Sequence, residues 1–297
     1  MTTAAQLPAG TIVVGIDGST HSERALNWAI AQAQLEKRPL TLLHGANVRG
    51  WDGLSPYGVD RHLVVNAVTS EAQTLLTHVH HIVTARAPDL DVVEALVIGD
   101  PRQVLNEASK RASMLVLGSH GRGPMTSLQL GSVSLAVSRN AGCPVVILRP
   151  QKPDTEGNGI VVGIGGHERN LAPLEFAYLQ ASLRSLPLTV MHGFWDPHGP
   201  MGFSLIGPDE PGNENEYRLV AETIAGMSEK FPDVEVSVQL RRGLVEDCLI
   251  RAAKGMGMVV VGAHPDGVPL DVLTGSPTRA LVEFADCMVA VVPSRTS

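Results

Sequence analysis

The chain of 297 residues repeats itself. TIVVGIDGS (11–19) returns as GIVVGIGGH (159–167), and RPLTLLHG (38–45) returns as LPLTVMHG (186–193), both at a spacing of 148 residues. Further on the spacing falls to 144: APDLDVVEALVIGD (87–100) pairs with FPDVEVSVQLRRGL (231–244), MLVLGSHG (114–121) with MVVVGAHP (258–265), and CPVVILRP (143–150) with CMVAVVPS (287–294). A repeat of this length is a domain rather than a solenoid unit, so two similar domains in tandem are expected. The polar, Pro- and Gly-bearing segment QKPDTEGNG (151–159) reads as the linker, giving domains over 1–150 and 159–297.

Within each copy short apolar runs alternate with longer periodic ones. The first copy predicts strands near 11–17, 39–46, 92–98, 114–118 and 144–149, and helices near 20–36, 61–86, 101–112 and 132–140. The strand segments are apolar at successive positions, as strands covered on both faces are. Hydrophobic content is 44% with 4% aromatic, which suits a Val, Leu, Ile and Ala core of this kind. Ser19 or Thr20 is placed to cap the first helix, and Asp100-Pro101 to start the third. Parallel neighbours need right-handed crossovers, so the fold class is α/β: two tandem doubly wound domains, each a five-stranded parallel sheet with helices on both faces. Ligands of such sheets bind beyond the carboxyl ends of the strands, where the strand order reverses.

At that end of the first copy, strand four runs into GSHGRGPMTSLQLGSVS (118–134). Gly121 and Gly123 permit positive φ, so that successive amides can turn to one side and face an anion. Gly131-Ser132 opens a helix whose free amides and dipole favour the same charge, with Ser132 and Ser134 as hydroxyl donors and Arg122 as a cation at the mouth. Asp17, after strand one, is an acceptor suited to nucleoside hydroxyl or amino groups. The pattern is neither a Walker A loop, which needs G-K-[ST], nor the dinucleotide fingerprint, whose glycines follow strand one.

These residues carry a resemblance. VVGIDGS (13–19), GSHGRGPMTSLQLGSVS (118–134) and CPVVIL (143–148) are similar to the universal stress protein family in its ATP-binding branch, and the whole chain resembles the tandem two-domain form found in actinobacteria. The resemblance implies strand order 3-2-1-4-5 and ATP, with or without Mg²⁺, bound by Gly15, Asp17, Ala46, Gly118, Gly121, Arg122, Gly123, Gly131, Ser132, Val133 and Ser134. It also implies pairing of fifth strands, which here would join 144–149 to 288–292 as an internal pseudo-dimer. A homodimer is the further oligomeric expectation.

The second copy departs from the pattern. Gly165 stands where Asp17 stood, and His167 where Ser19 stood. Pro265 replaces Gly121 and has no amide to offer. Asp266 replaces Arg122 and repels phosphate, and Pro277 replaces Val133, while Gly262, Gly275 and Ser276 remain. A degenerate nucleotide site is expected in this half.

Other features exclude or compete. Net charge is −7 without a long basic run, which argues against nucleic acid. No apolar stretch is long enough to span a bilayer, and MTTAAQLPAG lacks the features of a secretory leader. Cys143, Cys248 and Cys287 show no metal spacing and fit a reducing cytoplasm. His78 and His81 read as a solvated helix face, and His44 and His192, repeated at the ends of the second strands, as scaffold. The long segment 194–213 either covers the degenerate pocket, meets a partner, or packs on its own domain. The functional expectation is an ATP-binding regulator of stress response or growth that acts on a protein partner. Slow ATP hydrolysis or phosphoryl transfer, and a structural dimer module with incidental nucleotide, are the competing readings.

Overall fold

The structure is a computed structural model that describes residues 6–48, 61–121, 131–150, 158–165, 171–194, 204–207, 210, 212–263 and 277–293. The chain divides into two compact units, Met1–Leu148 and Arg149–Ser297.

In the first unit, β1 (Ile12–Gly15), β2 (Leu40–Ala46), β3 (Val92–Ile98), β4 (Met114–Gly118) and β5 (Val145–Leu148) form a parallel sheet in the order β3-β2-β1-β4-β5. Helices α1 (Thr20–Glu36), α2 (Arg61–Arg86), α3 (Pro101–Ala108) and α4 (Ser132–Asn140) make the crossovers. The inner strands are closed to solvent on both faces: Ile12, Val13, Val14, Leu40, Leu42, Leu115, Val116, Val145, Val146 and Ile147 are all fully buried. α1 packs on them through Ala25, Leu26, Ala29, Ile30 and Ala33, a stripe of small and branched apolar residues at helical spacing. Ser19 is its N-cap, accepting from the Ser22 amide at 3.1 Å. Asp100 caps α3 by accepting from the Arg102 amide at 2.9 Å, with Pro101 in the first turn.

α3 is shorter than the sequence pattern suggests, ending at Ala108 rather than near 112. The cause is Ser109, whose hydroxyl donates to the Asn106 carbonyl at 2.7 Å and accepts from the Gly142 amide at 2.8 Å. That cross-link ties the helix end to the turn before β5 and diverts the chain into β4.

The second unit repeats the plan with β6 (Ile160–Ile164), α5 (Leu171–Arg184), β7 (Leu188–Phe194), α6 (Glu214–Ile224), α7 (Met227–Lys230), β9 (Val236–Arg242), α8 (Val245–Ala252), β10 (Met258–Ala263), α9 (Pro277–Phe284) and β11 (Met288–Pro293). Its strand order is β11-β10-β6-β7-β9-β8. The addition is β8 (Ser204–Ile206), antiparallel to β9 with Leu205 opposite Arg241. It comes from the long segment after β7, and its pairing covers the edge of β9; among the described residues the equivalent strand β3 has no such neighbour. Ile206, the last residue of β8, is buried, while Arg242 bonds Glu210 Oε1 at 2.5 Å and Asn213 Oδ1 at 3.4 Å. The described part of this segment therefore packs on its own unit. Among the described residues, no helix is long and apolar enough to cross a membrane.

Candidate functional site

β1 and β4 are neighbours, and the strand order reverses between them, so their carboxyl ends diverge into α1 on one side and the glycine-bearing segment on the other. Beyond β1 the chain turns at Gly18, whose φ of 76° belongs to the left-handed region. Asp17 Oδ1 accepts from the Ser19 amide at 2.9 Å, which fixes the carboxylate at the start of α1. Its other oxygen faces Gly121: a Cβ built there would lie 2.6 Å from Asp17 Oδ2. Gly121 is not among the positive-φ glycines. Gly121 therefore does not use the left-handed backbone that the sequence pattern suggested; what a side chain there would meet first is the Asp17 carboxylate.

Gly118 ends β4 against α1. A Cβ on it would meet His21 backbone atoms at 2.7–2.8 Å. Its carbonyl accepts from the Ser134 hydroxyl at 2.7 Å, which anchors the first turn of α4 to the end of β4. The Gly131 amide donates to the Ser119 carbonyl at 2.6 Å, and a Cβ at Gly131 would approach Ser119 O to 3.1 Å and His120 Cα to 3.4 Å. Residues 119–121 therefore lie between Asp17 on one side and the start of α4 on the other.

α4 begins without a cap. Gly131 is extended at the N-cap, and no side chain caps the helix among the described residues. The first intrahelical bond runs from the Leu135 amide to Gly131 O at 3.2 Å, so the amides of Ser132, Val133 and Ser134 precede it. α1 and α3, which also start at strand ends, satisfy an amide with Ser19 and Asp100. At α4 the sequence supplies glycine instead, which offers those amides no side-chain acceptor, and a helix start of this kind favours an anion.

Of the residues singled out from sequence, the structure brings Asp17, Gly118, Gly121, Gly131, Ser132, Val133 and Ser134 to one mouth. Ser132 is exposed there, whereas Ser134 is buried and held to Gly118 O. Gly15 lies deeper, with a would-be Cβ 2.8 Å from Leu117 Cδ2, so it serves packing. Ala46 ends β2, is buried, and gives its carbonyl to the Gly99 amide at 2.9 Å. Arg122 and Gly123 lie outside the described residues.

Sequence reasoning missed three residues of this mouth. Ser119 is fully buried, and its Oγ lies 3.2 Å from Nδ1 of both His21 and His120. The two rings are tilted at 48° with centroids 5.0 Å apart. Burial, then the neighbouring His120 and Arg24, hold the His21 imidazole below the ordinary histidine range, with Asp17 opposing. The histidines are visible in GSTHS and GSHG, but nothing in a single sequence joins positions 98 residues apart.

The second unit keeps the scaffold bonds. Thr278 donates to Gly262 O at 3.1 Å as Ser134 does to Gly118 O. His192 Nδ1 lies 3.0 Å from Ile164 O, as His44 Nδ1 lies 2.6 Å from Ile16 O. These repeated histidines stitch the second strand to the end of the first. His192 is further occupied by Glu216 at 3.0 Å. Gly165 is described and brings no carboxylate; His167, Pro265, Asp266, Gly275 and Ser276 lie outside the described residues. Pro277 begins α9 and has no amide to offer there.

On α2, His80 Nδ1 lies 3.2 Å from Glu94 Oε1, off the hydrogen-bonding direction, and no group of three metal-ligating side chains occurs among the described residues.

The sequence pattern of the universal stress protein family matches residues 9–149 and again 158–293. The chain belongs to the universal stress protein family. Among its relatives is universal stress protein Rv2005c of Mycobacterium tuberculosis, 32% identical over 301 residues that span 96% of this chain and 97% of the relative. Universal stress protein Rv2623 of the same organism is 29% identical over 94% of this chain and 95% of its own. A universal stress protein from Archaeoglobus fulgidus shares the fold over 97% of this chain and 100% of that one, with a TM-score of 0.72 at 17% identity. A half-length member, at a TM-score of 0.38 over 48% of this chain, was solved in complex with cAMP, a property of that protein.

Proposed function

We propose that the N-terminal unit, residues 1–150, binds ATP at the mouth between β1 and β4, and that residues 159–297 carry a degenerate copy of this site. The observation that carries the reading is the uncapped start of α4 lying against the segment that abuts Asp17. The fit to the group is physical. Glycines at 118, 121 and 131 let α1, the Asp17 carboxylate and the Ser119 carbonyl close tightly around the end of β4. Three amides at the head of α4 are oriented for phosphate. The Asp17 carboxylate, pinned by Ser19, accepts from nucleoside hydroxyl or amino groups. Binding of this kind draws on backbone dipoles, so it needs few cationic side chains and is compatible with a net charge of −7. Any Mg²⁺ would ride on the phosphates.

The nucleotide serves as an occupancy signal read by a protein partner in the cytoplasm, in stress response or growth control. The mouth is suited to holding a nucleotide, and its carboxylate is spent on orientation rather than on activating water. Calorimetric titration of ATP into the full chain tests the proposal. One equivalent is expected, with affinity falling by at least about tenfold in Asp17→Ala, the equivalent of about 1.4 kcal/mol. Equal affinity in the variant would overturn the assignment of Asp17, and two equivalents would overturn the degenerate second site.

A further inference from the structure

We propose that His21 and His120, joined through Ser119 Oγ, form a proton-linked phosphate-recognition pair in the N-terminal mouth, so that nucleotide binds with uptake of a proton. This rests on the nucleotide reading above and adds a regulatory input to it.

Ser119 is fully buried, and both imidazole Nδ1 atoms lie 3.2 Å from its hydroxyl oxygen. A hydroxyl has one proton to donate, so it can serve one ring as donor and must accept from the other. The neutral trio therefore holds one ring protonated on Nδ1 and the other on Nε2. Adding a proton makes one ring an imidazolium. With centroids 5.0 Å apart, a charge on one ring opposes a charge on the other.

The charged surroundings set the resting state. Burial, then His120 at the end of β4 and Arg24 on its own helix, disfavour a charge on His21, and Asp17 from the end of β1 opposes them. His120 faces His21 and Ser119, and its Cα lies 3.4 Å from the Cβ position of Gly131, where α4 begins. A phosphate held by the α4 amides, which begin beside the His120 backbone, adds negative charge on that side of the pair to that of Asp17. Opposite charge at short range favours the protonated ring.

The sign follows. The complex holds the proton more tightly than the free protein does, so affinity rises as pH falls through the histidine range and levels off above it. The second repeat cannot do this, because Arg169 takes the place of His21 and does not titrate.

The test is calorimetry of ATP with the full chain between pH 6.3 and 8.0, a window kept above the sequence pI of about 5.9. Wild type, His21→Gln and His120→Gln are compared. The terminal phosphate of ATP titrates near pH 6 in every sample, so it cancels in the ratio of variant to wild-type dissociation constants. That ratio should grow about threefold or more as pH falls across the window. A constant ratio while ATP still binds overturns the inference and leaves the nucleotide reading standing. No binding by wild type at any pH overturns both. A second measurement needs no nucleotide: NMR titration of the ring Cε1 protons should place the His21 midpoint below 6.5 and raise it in His120→Gln. An unmoved midpoint overturns the coupling of the two rings.

Discussion

Gly118 ends β4 against α1, and its substitution by alanine tests that packing. The added Cβ would sit 2.7 Å from the His21 carbonyl carbon and 2.8 Å from its Cβ and carbonyl oxygen. Ordinary contact is about 3.4 Å or more, so the neighbour must retreat by roughly 0.7 Å, and that neighbour is helix backbone rather than the end of a flexible chain. α1 cannot retreat freely, because Ala25, Leu26, Ala29, Ile30 and Ala33 are buried on the strands. Overpacking of this kind costs about 1–3 kcal/mol. For a unit of this size each kcal/mol lowers the midpoint by about 2–4 °C, so Gly118→Ala should melt roughly 2–12 °C below wild type. Gly207→Ala is the control. Nothing lies within 4 Å of the added Cβ there and the backbone is not left-handed, so a change within about 0.5 kcal/mol is expected. Thermal unfolding followed by circular dichroism reads both. If Gly118→Ala melts together with Gly207→Ala and wild type, the helix is not packed on β4 as described.

Two further outcomes are expected. Ser134→Ala and Thr278→Val each remove the bond that ties a helix start to a glycine carbonyl, and each should destabilise its unit by about 1–2 kcal/mol in denaturant unfolding; similar losses in the two halves would identify the tie as scaffold. Burial pushes the Cys143 and Cys287 thiols up to about 12, so the native protein should leave both unmodified by a thiol reagent at pH 8, with all three cysteines reacting after denaturation. Because these folded values lie above the unfolded value, the same thiols reduce stability as pH rises past about 9, where the unfolded chain ionises first.

The scaffold was legible because its signals are local or repeated. Apolar runs such as MLVLG give the strands of the first unit to within one or two residues, and Ser19 and Asp100 are recognisable caps from their neighbours alone. The repetition of His44 as His192 marked them as scaffold, and their bonds to Ile16 O and Ile164 O give the reason. What was not legible depends on contacts far apart in sequence. Gly121 looked like a residue needed for a left-handed turn, whereas its backbone is not left-handed and a side chain there would first meet the Asp17 carboxylate. The Ser119–His21–His120 cluster joins α1 to the end of β4 and leaves no periodic trace. β8 is three residues long, and its strand conformation comes from pairing with β9 rather than from its own propensity.

The central claim is that backbone amides at the start of α4, beside Asp17, hold a nucleotide triphosphate in the first unit and that the second unit has lost this ability. Crystals of the full chain soaked with ATP test it most directly. The account predicts phosphate oxygens within hydrogen-bonding distance of the Ser132 and Val133 amides, the nucleoside against Asp17, and no ATP at the start of α9. Density for ATP in the second unit, or an N-terminal mouth that stays empty at saturating ATP, would contradict it.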